Sequence, residues 1–259
     1  MPNSSWPDVL QGALRSIGYA LFPPTCAACG ESVFPDVILC DACDVSCLMA
    51  DDPFIICESY SSLTNAEETE ETKTRLLDDV KTFSPFLYGG SVKDLLCRAK
   101  FTNDESSARA VVALLRRDDV KEGIQTAFSS DEIDAISFIP TPMSRRMRRG
   151  FCLAAFVADE LARILELPVD DVLNATRTDA PLSTTENAEE RRKMVQGRYR
   201  MRSSAEKKSY LVADDILTTG STLHEAASVL KSQGCDVFAF ALAQTERDSI
   251  AVFEGNPHG

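Results

Sequence analysis

Residues 214–222, DDILTTGST, place two carboxylates directly before a hydroxyl-rich loop with one glycine. The apolar run 210–213 in front of them is typical of a buried strand, and residues 222–232 have a helical pattern. A loop that enters a helix offers free backbone N–H groups and the positive end of the helix dipole, and both favour a phosphate. The sequence therefore predicts an anion site between this strand and this helix.

The side chains of the segment indicate which anion would fit. Four residues carry hydroxyl donors: Thr218, Thr219, Ser221 and Thr222. Gly220 lets the backbone come close to a ligand, and successive N–H groups in such a turn can surround a phosphate. Asp214 and Asp215 can accept hydrogen bonds from a diol and help to hold Mg²⁺, directly or through water. We expect a phosphorylated ribose here, and no P-loop, because the lysine of that motif is missing.

Four cysteines near the start of the chain have the spacing C-x2-C-x10-C-x2-C: Cys26, Cys29, Cys40 and Cys43. Two C-x2-C pairs can direct four thiolates to one point, which predicts a closed tetrahedral Zn²⁺ site with a structural role. Fe bound by the same thiolates, or a knuckle without metal, are the alternatives. The nine cysteines of the chain are an odd number, which argues against a disulfide framework.

The composition of the 259 residues allows one large α/β domain with a smaller appendage, or two modest domains. The net charge of −13 argues against broad, non-specific binding of nucleic acid, although residues 145–149 and 191–208 are locally basic. No run of 18 apolar residues is present, and the start of the chain lacks the pattern of a secretory signal. We expect a cytoplasmic protein without a membrane span.

The second half of the chain alternates strands and helices. A strand at 134–140, a loop at 141–150 and a helix at 151–165 precede the DDILTTGST unit, and a strand at 236–243 follows it. This alternation predicts a parallel sheet flanked by helices, with ligands at the carboxyl ends of its strands. Other elements are predicted outside these units: helices at 6–22, 91–99 and 105–118, and a strand at 169–173.

Three regions follow from these patterns. Residues 1–57 are predicted to hold the first helix and the zinc module, residues 58–82 an acidic linker or insertion, and residues 83–259 the α/β domain. Residues 177–204 are polar and too long for a simple turn, as is typical of a functional loop or lid.

YLVADDILTTGST resembles the 13-residue signature of type I phosphoribosyltransferases for phosphoribosyl pyrophosphate (PRPP). Three further segments resemble one branch of this superfamily: PTPMSRRMRRGF, PLSTTENAEERRKMVQGRYR and LLCRAKFTND. With LFPP, CAACG and CDAC at the front, the chain is similar to the ComF family nearly throughout, except in residues 58–82. That family consists of phosphoribosyltransferase-like proteins linked to natural competence for DNA uptake.

The resemblance implies a type I phosphoribosyltransferase-like sheet, an N-terminal zinc module, and PRPP with Mg²⁺ as ligand. Asp214 and Asp215 would be the catalytic acids, and residues 218–222 would bind the 5-phosphate. The resemblance assigns the pyrophosphate loop to Thr141, Arg145 and Arg146, and a lid to Arg191 and Arg192. One departure concerns Cys152 and Leu153, which stand where the family has Asn-Gln.

For several of these residues a purely structural or surface role stays open as an alternative to a functional one. The arginine pairs at 145–146 and 191–192 could be solvated surface charges, and His224 is more typical of a half-exposed helix residue than of an acid or base. The missing amides at 152–153 favour a non-catalytic protein that binds a nucleotide, single-stranded DNA or a competence protein. In a further alternative the zinc module is a separate docking platform, and Cys26→Ser would leave PRPP binding intact.

Overall fold

The computed structural model describes residues 19, 23–35, 37–51, 53–57, 80–129, 131–176, 197–202 and 206–245. Six strands of this part of the chain form one sheet: β1 (Phe54–Cys57), β2 (Val80–Phe83), β3 (Phe86–Leu87), β4 (Ala135–Phe138), β7 (Ser209–Leu217) and β8 (Asp236–Gln244). The strand order is β1–β2–β8–β7–β4, and β3 continues the β2 edge of β8 in the same register beyond Ser84 and Pro85. All pairings are parallel except β1–β2. A separate antiparallel pair consists of β5 (Leu173–Ala175) and β6 (Tyr199–Met201).

Helices cover both faces of the sheet. Within the described residues they are α1 (Asp41–Val45), α2 (Gly90–Phe101), α3 (Glu105–Ala113), α4 (Asp118–Ala127), α5 (Met143–Arg149), α6 (Leu153–Leu165) and α7 (Ser221–Lys231). Buried residues of α2, α3, α4 and α6 form one core with Leu211 and Phe240 of the sheet. The other core joins α7 and the β5–β6 pair to Tyr210 and Val212. The predicted parallel sheet flanked by helices is confirmed.

Several predicted elements have different bounds. The stretch 141–150 was expected to be a loop, but α5 occupies most of it and is capped by Gly150, which has a left-handed φ of 88°. Strand β7 does not stop at residue 213, because its pairing with β8 continues through Asp214 to Leu217. The helix expected at 105–118 ends at Ala113, and a separate helix, α4, begins at Asp118. The strand expected at 169–173 starts at Leu173. Only Tyr19 of the predicted helix 6–22 lies within the described residues.

The cysteine-rich segment packs directly against α2. Ser46 Oγ lies 2.6 Å from Ser91 Oγ, and Arg98 donates a hydrogen bond to the carbonyl of Ala27. Arg117 forms an ion pair with Asp44 at 2.9 Å. Cys26, Leu39 and Cys47 are buried in the same core as α2 and α3. The segment therefore shares its hydrophobic core with the sheet domain.

The strand β2 begins at Val80, inside the range 58–82 that was predicted as a linker, and it pairs with β1 on the other side of that range. The described part of the chain contains no helix with the length and apolar character needed to cross a membrane.

Candidate phosphoribosyl site

The DDILTTGST segment lies at the carboxyl edge of the sheet. Neighbouring strands are fixed to β7 there: Ile139 N–H donates to the carbonyl of Ala213 at 2.9 Å, and Thr245 N–H donates to that of Leu217 at 3.0 Å. The chain leaves β7 at Leu217 and enters α7 at Ser221. Between them Gly220 has a φ of 74°, a left-handed conformation that costs little only for glycine. The predicted strand, tight turn and helix N-terminus are therefore all present.

The hydroxyl groups of the loop stand at the mouth of this turn. Thr218 and Thr219 are exposed, Ser221 and Thr222 are half-buried, and Thr219 Oγ1 lies 3.0 Å from Ser221 Oγ. The first N–H groups of α7 have no partner within the helix, as at any helix N-terminus. This arrangement offers backbone and hydroxyl donors together and suits a phosphate monoester.

Asp214 and Asp215 point to opposite faces of the sheet, because side chains alternate along a strand. Asp215 shares its face with α2, and Lys100 Nζ of that helix lies 2.7 Å from Asp215 Oδ1. Asp214 shares its face with α7 and the β5–β6 pair, is 8% exposed, and lies near the buried Tyr199. The two carboxylates therefore sit in different environments.

The environment of Asp214 favours its neutral form. Burial raises the pKa of Asp214 to about 8; the charge of Asp215 adds to this rise and the charge of Lys100 opposes it. Burial, together with the charge of Asp214, also raises the pKa of the Tyr199 phenol. Burial therefore favours a protonated Asp214 near neutral pH, whereas Asp215 lies next to the ammonium group of Lys100.

Three arginines approach each other beside these acids. Burial lowers the pKa of Arg149, the charge of Asp215 opposes this shift, and the charge of Arg145 adds to it. Burial likewise lowers the pKa of Arg198 on the hairpin side, and Arg145 again adds to the shift. Positive side chains that are partly desolvated and close together favour an anionic ligand.

The structure separates the two arginines that were predicted for the pyrophosphate loop. Arg145 is half-buried and near enough to Arg149 and Arg198 for its charge to lower the pKa of each, whereas Arg146 is exposed. Thr141 follows β4 at the same edge, and its hydroxyl donates to Cys152 Sγ at 3.3 Å. Arg191 and Arg192 lie outside the described residues. His224 is half-buried in the first turn of α7.

Cys152 and Leu153 have structural positions. Cys152 is buried at the N-cap of α6, and Leu153 is 1% exposed in the main core. Leu153 therefore contributes apolar packing where the family pattern has an amide, and Cys152 accepts the hydrogen bond of Thr141.

Sequence reasoning did not assign three of these residues to the site: Lys100, Arg149 and Arg198. Arg149 lies four residues after Arg145, and helical spacing puts both on one face, but this signal was missed because the stretch was expected to be a loop. Lys100 stands in LLCRAKFTND, a segment noted only for its resemblance. Arg198 belongs to a basic run, but nothing local shows that the β5–β6 pair brings it to α7, where Gly197 N–H donates to Glu225 Oε1 at 2.6 Å.

The four predicted cysteine ligands converge. The sulfur atoms of Cys26, Cys29, Cys40 and Cys43 all lie within 4.8 Å of one another, and those of Cys29 and Cys40 are 3.7 Å apart. Four thiolates at about 2.3 Å from a tetrahedral Zn²⁺ would have sulfur–sulfur separations of about 3.8 Å. The donor set therefore fits Zn²⁺, and these four residues could hold it.

The backbone around Cys26 is arranged for a thiolate. Burial opposes ionisation of Cys26, but hydrogen bonds from the N–H groups of Cys29, Cys40 and Ala28 outweigh burial and lower its pKa to about 6. The turn is held by the hydrogen bond from Gly30 N–H to the Cys26 carbonyl, with Gly30 at a φ of 81°. Because thiolates are the metal-binding form of cysteine, this turn favours a bound cation.

The phosphoribosyl transferase domain model matches residues 147–251. This stretch contains the strands β7 and β8 and the whole DDILTTGST loop, although it is less than half of the chain. No curated protein matches the sequence. The fold of the sheet domain is of the phosphoribosyltransferase type.

Solved phosphoribosyltransferases are similar to the chain at low identity. An orotate phosphoribosyltransferase from Aeropyrum pernix has 20% identity, with 55% of this chain and 62% of that chain covered and a TM-score of 0.28. A purine phosphoribosyltransferase from Pyrococcus horikoshii Ot3 has 15% identity, coverages of 50% and 82%, and a TM-score of 0.31. An adenine phosphoribosyltransferase has 12% identity, coverages of 60% and 79%, and a TM-score of 0.33. The chain thus spans less than two thirds of the Aeropyrum pernix enzyme.

Proposed function

We propose that this chain binds PRPP, or a related phosphorylated ribose, together with Mg²⁺ at the carboxyl edge of its sheet. The observation that carries the proposal is the junction of β7 and α7. Two aspartates, a left-handed Gly220 and a hydroxyl-lined helix N-terminus follow one another there within nine residues. The 5-phosphate would lie in the loop 218–222, and the ribose hydroxyls would lie against Asp214 and Asp215.

The reaction that suits this site is phosphoribosyl transfer. A nucleophile, such as a nitrogen atom of the acceptor, forms a bond to the anomeric carbon while the bond from that carbon to the pyrophosphate oxygen breaks. Pyrophosphate leaves with the electron pair, and the proton of the nucleophile passes to water or a base. Bound Mg²⁺ would neutralise charge on the pyrophosphate. The chain's own contribution is positioning and charge: Arg145 and Arg149 face the leaving group, with Thr141 beside them.

The wider assignment is to the ComF type. The DDILTTGST loop and the four converging cysteines support a phosphoribosyltransferase-like protein with structural Zn²⁺. The resemblance of the sequence to the ComF family extends the proposal to a cytoplasmic role in competence and DNA uptake. Arg191 and Arg192 remain the proposed lid, and Arg146 remains a proposed pyrophosphate residue.

The test is a calorimetric titration of PRPP with Mg²⁺ into the wild type and into the double variant Asp214→Asn/Asp215→Asn. We expect saturable binding by the wild type and at least about 10-fold weaker binding by the variant, since hydrogen bonds to charged groups contribute about 1.5–3 kcal/mol. Asp236→Asn, which changes an exposed carboxylate at the start of β8, is the matched control. Failure of the wild type to bind PRPP would refute the proposal.

A second candidate function is binding of single-stranded DNA without catalysis. It is favoured by the outer side of α5, where Arg146 and Arg148 are exposed next to Met143 and Met147. Exposed cations can neutralise the phosphates of a single strand, and the methionines beside them can contact its bases. Binding of an oligothymidylate that weakens steeply with salt, and that is lost in Arg146→Gln/Arg148→Gln, would support this candidate. No binding at moderate salt would exclude it.

A further inference from the structure

Lys100 and Asp215 form the ion pair that joins helix α2 to the site. They are 115 residues apart in the chain, yet Lys100 Nζ lies 2.7 Å from Asp215 Oδ1. Their side chains are 22% and 17% exposed, so water screens the pair only in part. Among the described residues, Lys100 Nζ is also the only hydrogen-bond partner shown for the side-chain oxygens of Asp215.

The rest of α2 does not need this ion pair to stay in place. Leu95, Leu96 and Ala99 of the helix are fully buried in the main core. The last turn is fixed separately, because Arg149 Nη2 donates to the Lys100 carbonyl at 3.2 Å. The core face of α2 therefore holds the helix in place independently of the ion pair. Stability of the helix therefore does not explain why the ammonium group of Lys100 lies against Asp215.

Binding of a phosphorylated ribose would explain the contact between Lys100 and Asp215. A carboxylate that receives ribose hydroxyls must keep a fixed orientation, and it lies beside a polyanion whose charge repels it. Lys100 satisfies both needs, since it holds Oδ1 and leaves Oδ2 for a hydroxyl donor. Arg149 adds a second positive charge near the same carboxylate.

We propose that Lys100 is a positioning residue of the phosphoribose site, which orients Asp215 toward a ribose hydroxyl and neutralises it against the phosphates of the ligand. The inference rests on the proposed function and assigns a role to a residue of that same site. According to this inference, Lys100 affects ligand affinity only through its contact with Asp215.

A double-mutant cycle tests this role with PRPP and Mg²⁺ as the probe. The proteins are the wild type, Lys100→Met, Asp215→Asn and Lys100→Met/Asp215→Asn, with Lys93→Met on the exposed side of the same helix as control. We expect Lys100→Met to weaken binding about 10-fold, as for loss of one charged hydrogen bond. The double variant should bind no more weakly than Asp215→Asn, because Lys100 has no carboxylate left to orient. Lys100→Arg should restore part of the affinity, and the melting temperature should change by no more than a few degrees.

Each other result contradicts a particular step. Fold losses that multiply in the double variant would show that Lys100 acts independently of Asp215 and would overturn the inference. So would unchanged affinity in Lys100→Met, or an equal loss in Lys93→Met. If the wild type itself fails to bind PRPP, the proposed function fails first and this inference fails with it. If the wild type binds PRPP and Lys100→Met binds it equally well, the proposed function stands and only the role of Lys100 is refuted.

Discussion

Asp214→Asn should make the ligand-free protein more stable at neutral pH. In the folded protein, burial and then the charge of Asp215 raise the pKa of Asp214 from 3.8 to about 8. In the unfolded chain the same carboxyl ionises near its ordinary value. Between these two values the folded state holds a proton that the unfolded state has released, so the free energy of unfolding of the wild type falls as pH rises. Asparagine does not titrate and removes this dependence.

The magnitude follows from the shift. At pH 7 only the part of the displacement that lies between 3.8 and 7 contributes, about 3 units, which corresponds to about 4 kcal/mol at 1.36 kcal/mol per unit. Side-chain relaxation reduces such costs, so we expect a gain of at least about 1 kcal/mol in Asp214→Asn. The side-chain oxygen of asparagine can still accept the hydrogen bond that Asp215 N–H donates at 2.8 Å, so no backbone donor is left unpaired.

Urea unfolding at pH 4, 5.5, 7 and 8.5 measures the effect. The gain should be smallest at pH 4, close to the ordinary pKa of the carboxyl, where the unfolded chain has released only part of its protons, and it should grow up to about pH 8. Asp236→Asn, at an exposed carboxylate, should show no such trend. A variant that is no more stable than the wild type at pH 7, or whose difference does not depend on pH, would refute the reasoning about burial at this site.

Two further predictions concern the cysteine-rich segment. Cys26→Ser should lower the melting temperature of the whole protein in one calorimetric transition, because Cys26 is 2% exposed in the main core and a metal held by the four thiolates would contribute to folding. Two separate transitions would instead support an independent docking platform. Gly90→Ala should destabilise the protein by about 2 kcal/mol or more in urea unfolding, because its Cβ would lie 1.9 Å from the Ser46 carbonyl oxygen. Gly150→Ala, whose Cβ meets nothing within 4 Å, should cost only about 1 kcal/mol, and equal losses would contradict the steric argument.

Local sequence patterns predicted the parts of the site that are continuous in the chain. Residues 210–232 were enough to predict a strand with its acids, a glycine turn and a helix in this order. Each of these features depends on residues that are neighbours in the chain. The same holds for the two cysteine pairs, in which each knuckle is set by its own C-x2-C spacing. Alternation of strands and helices was enough to predict the parallel sheet, because parallel strands need crossover connections.

Tertiary structure alone decided how these parts meet. The order β8–β7–β4 brings Thr141 and the aspartates to one edge, and packing of α2 brings Lys100 to Asp215 across 115 residues. The extra length of β7 sends the two aspartates to opposite faces, where burial raises the pKa of Asp214 and packing of α2 places Lys100 next to Asp215. The cysteine-rich segment joined the main core through contacts with α2. Such long-range contacts depend on which surfaces bury each other, and no local pattern of residues encodes that choice.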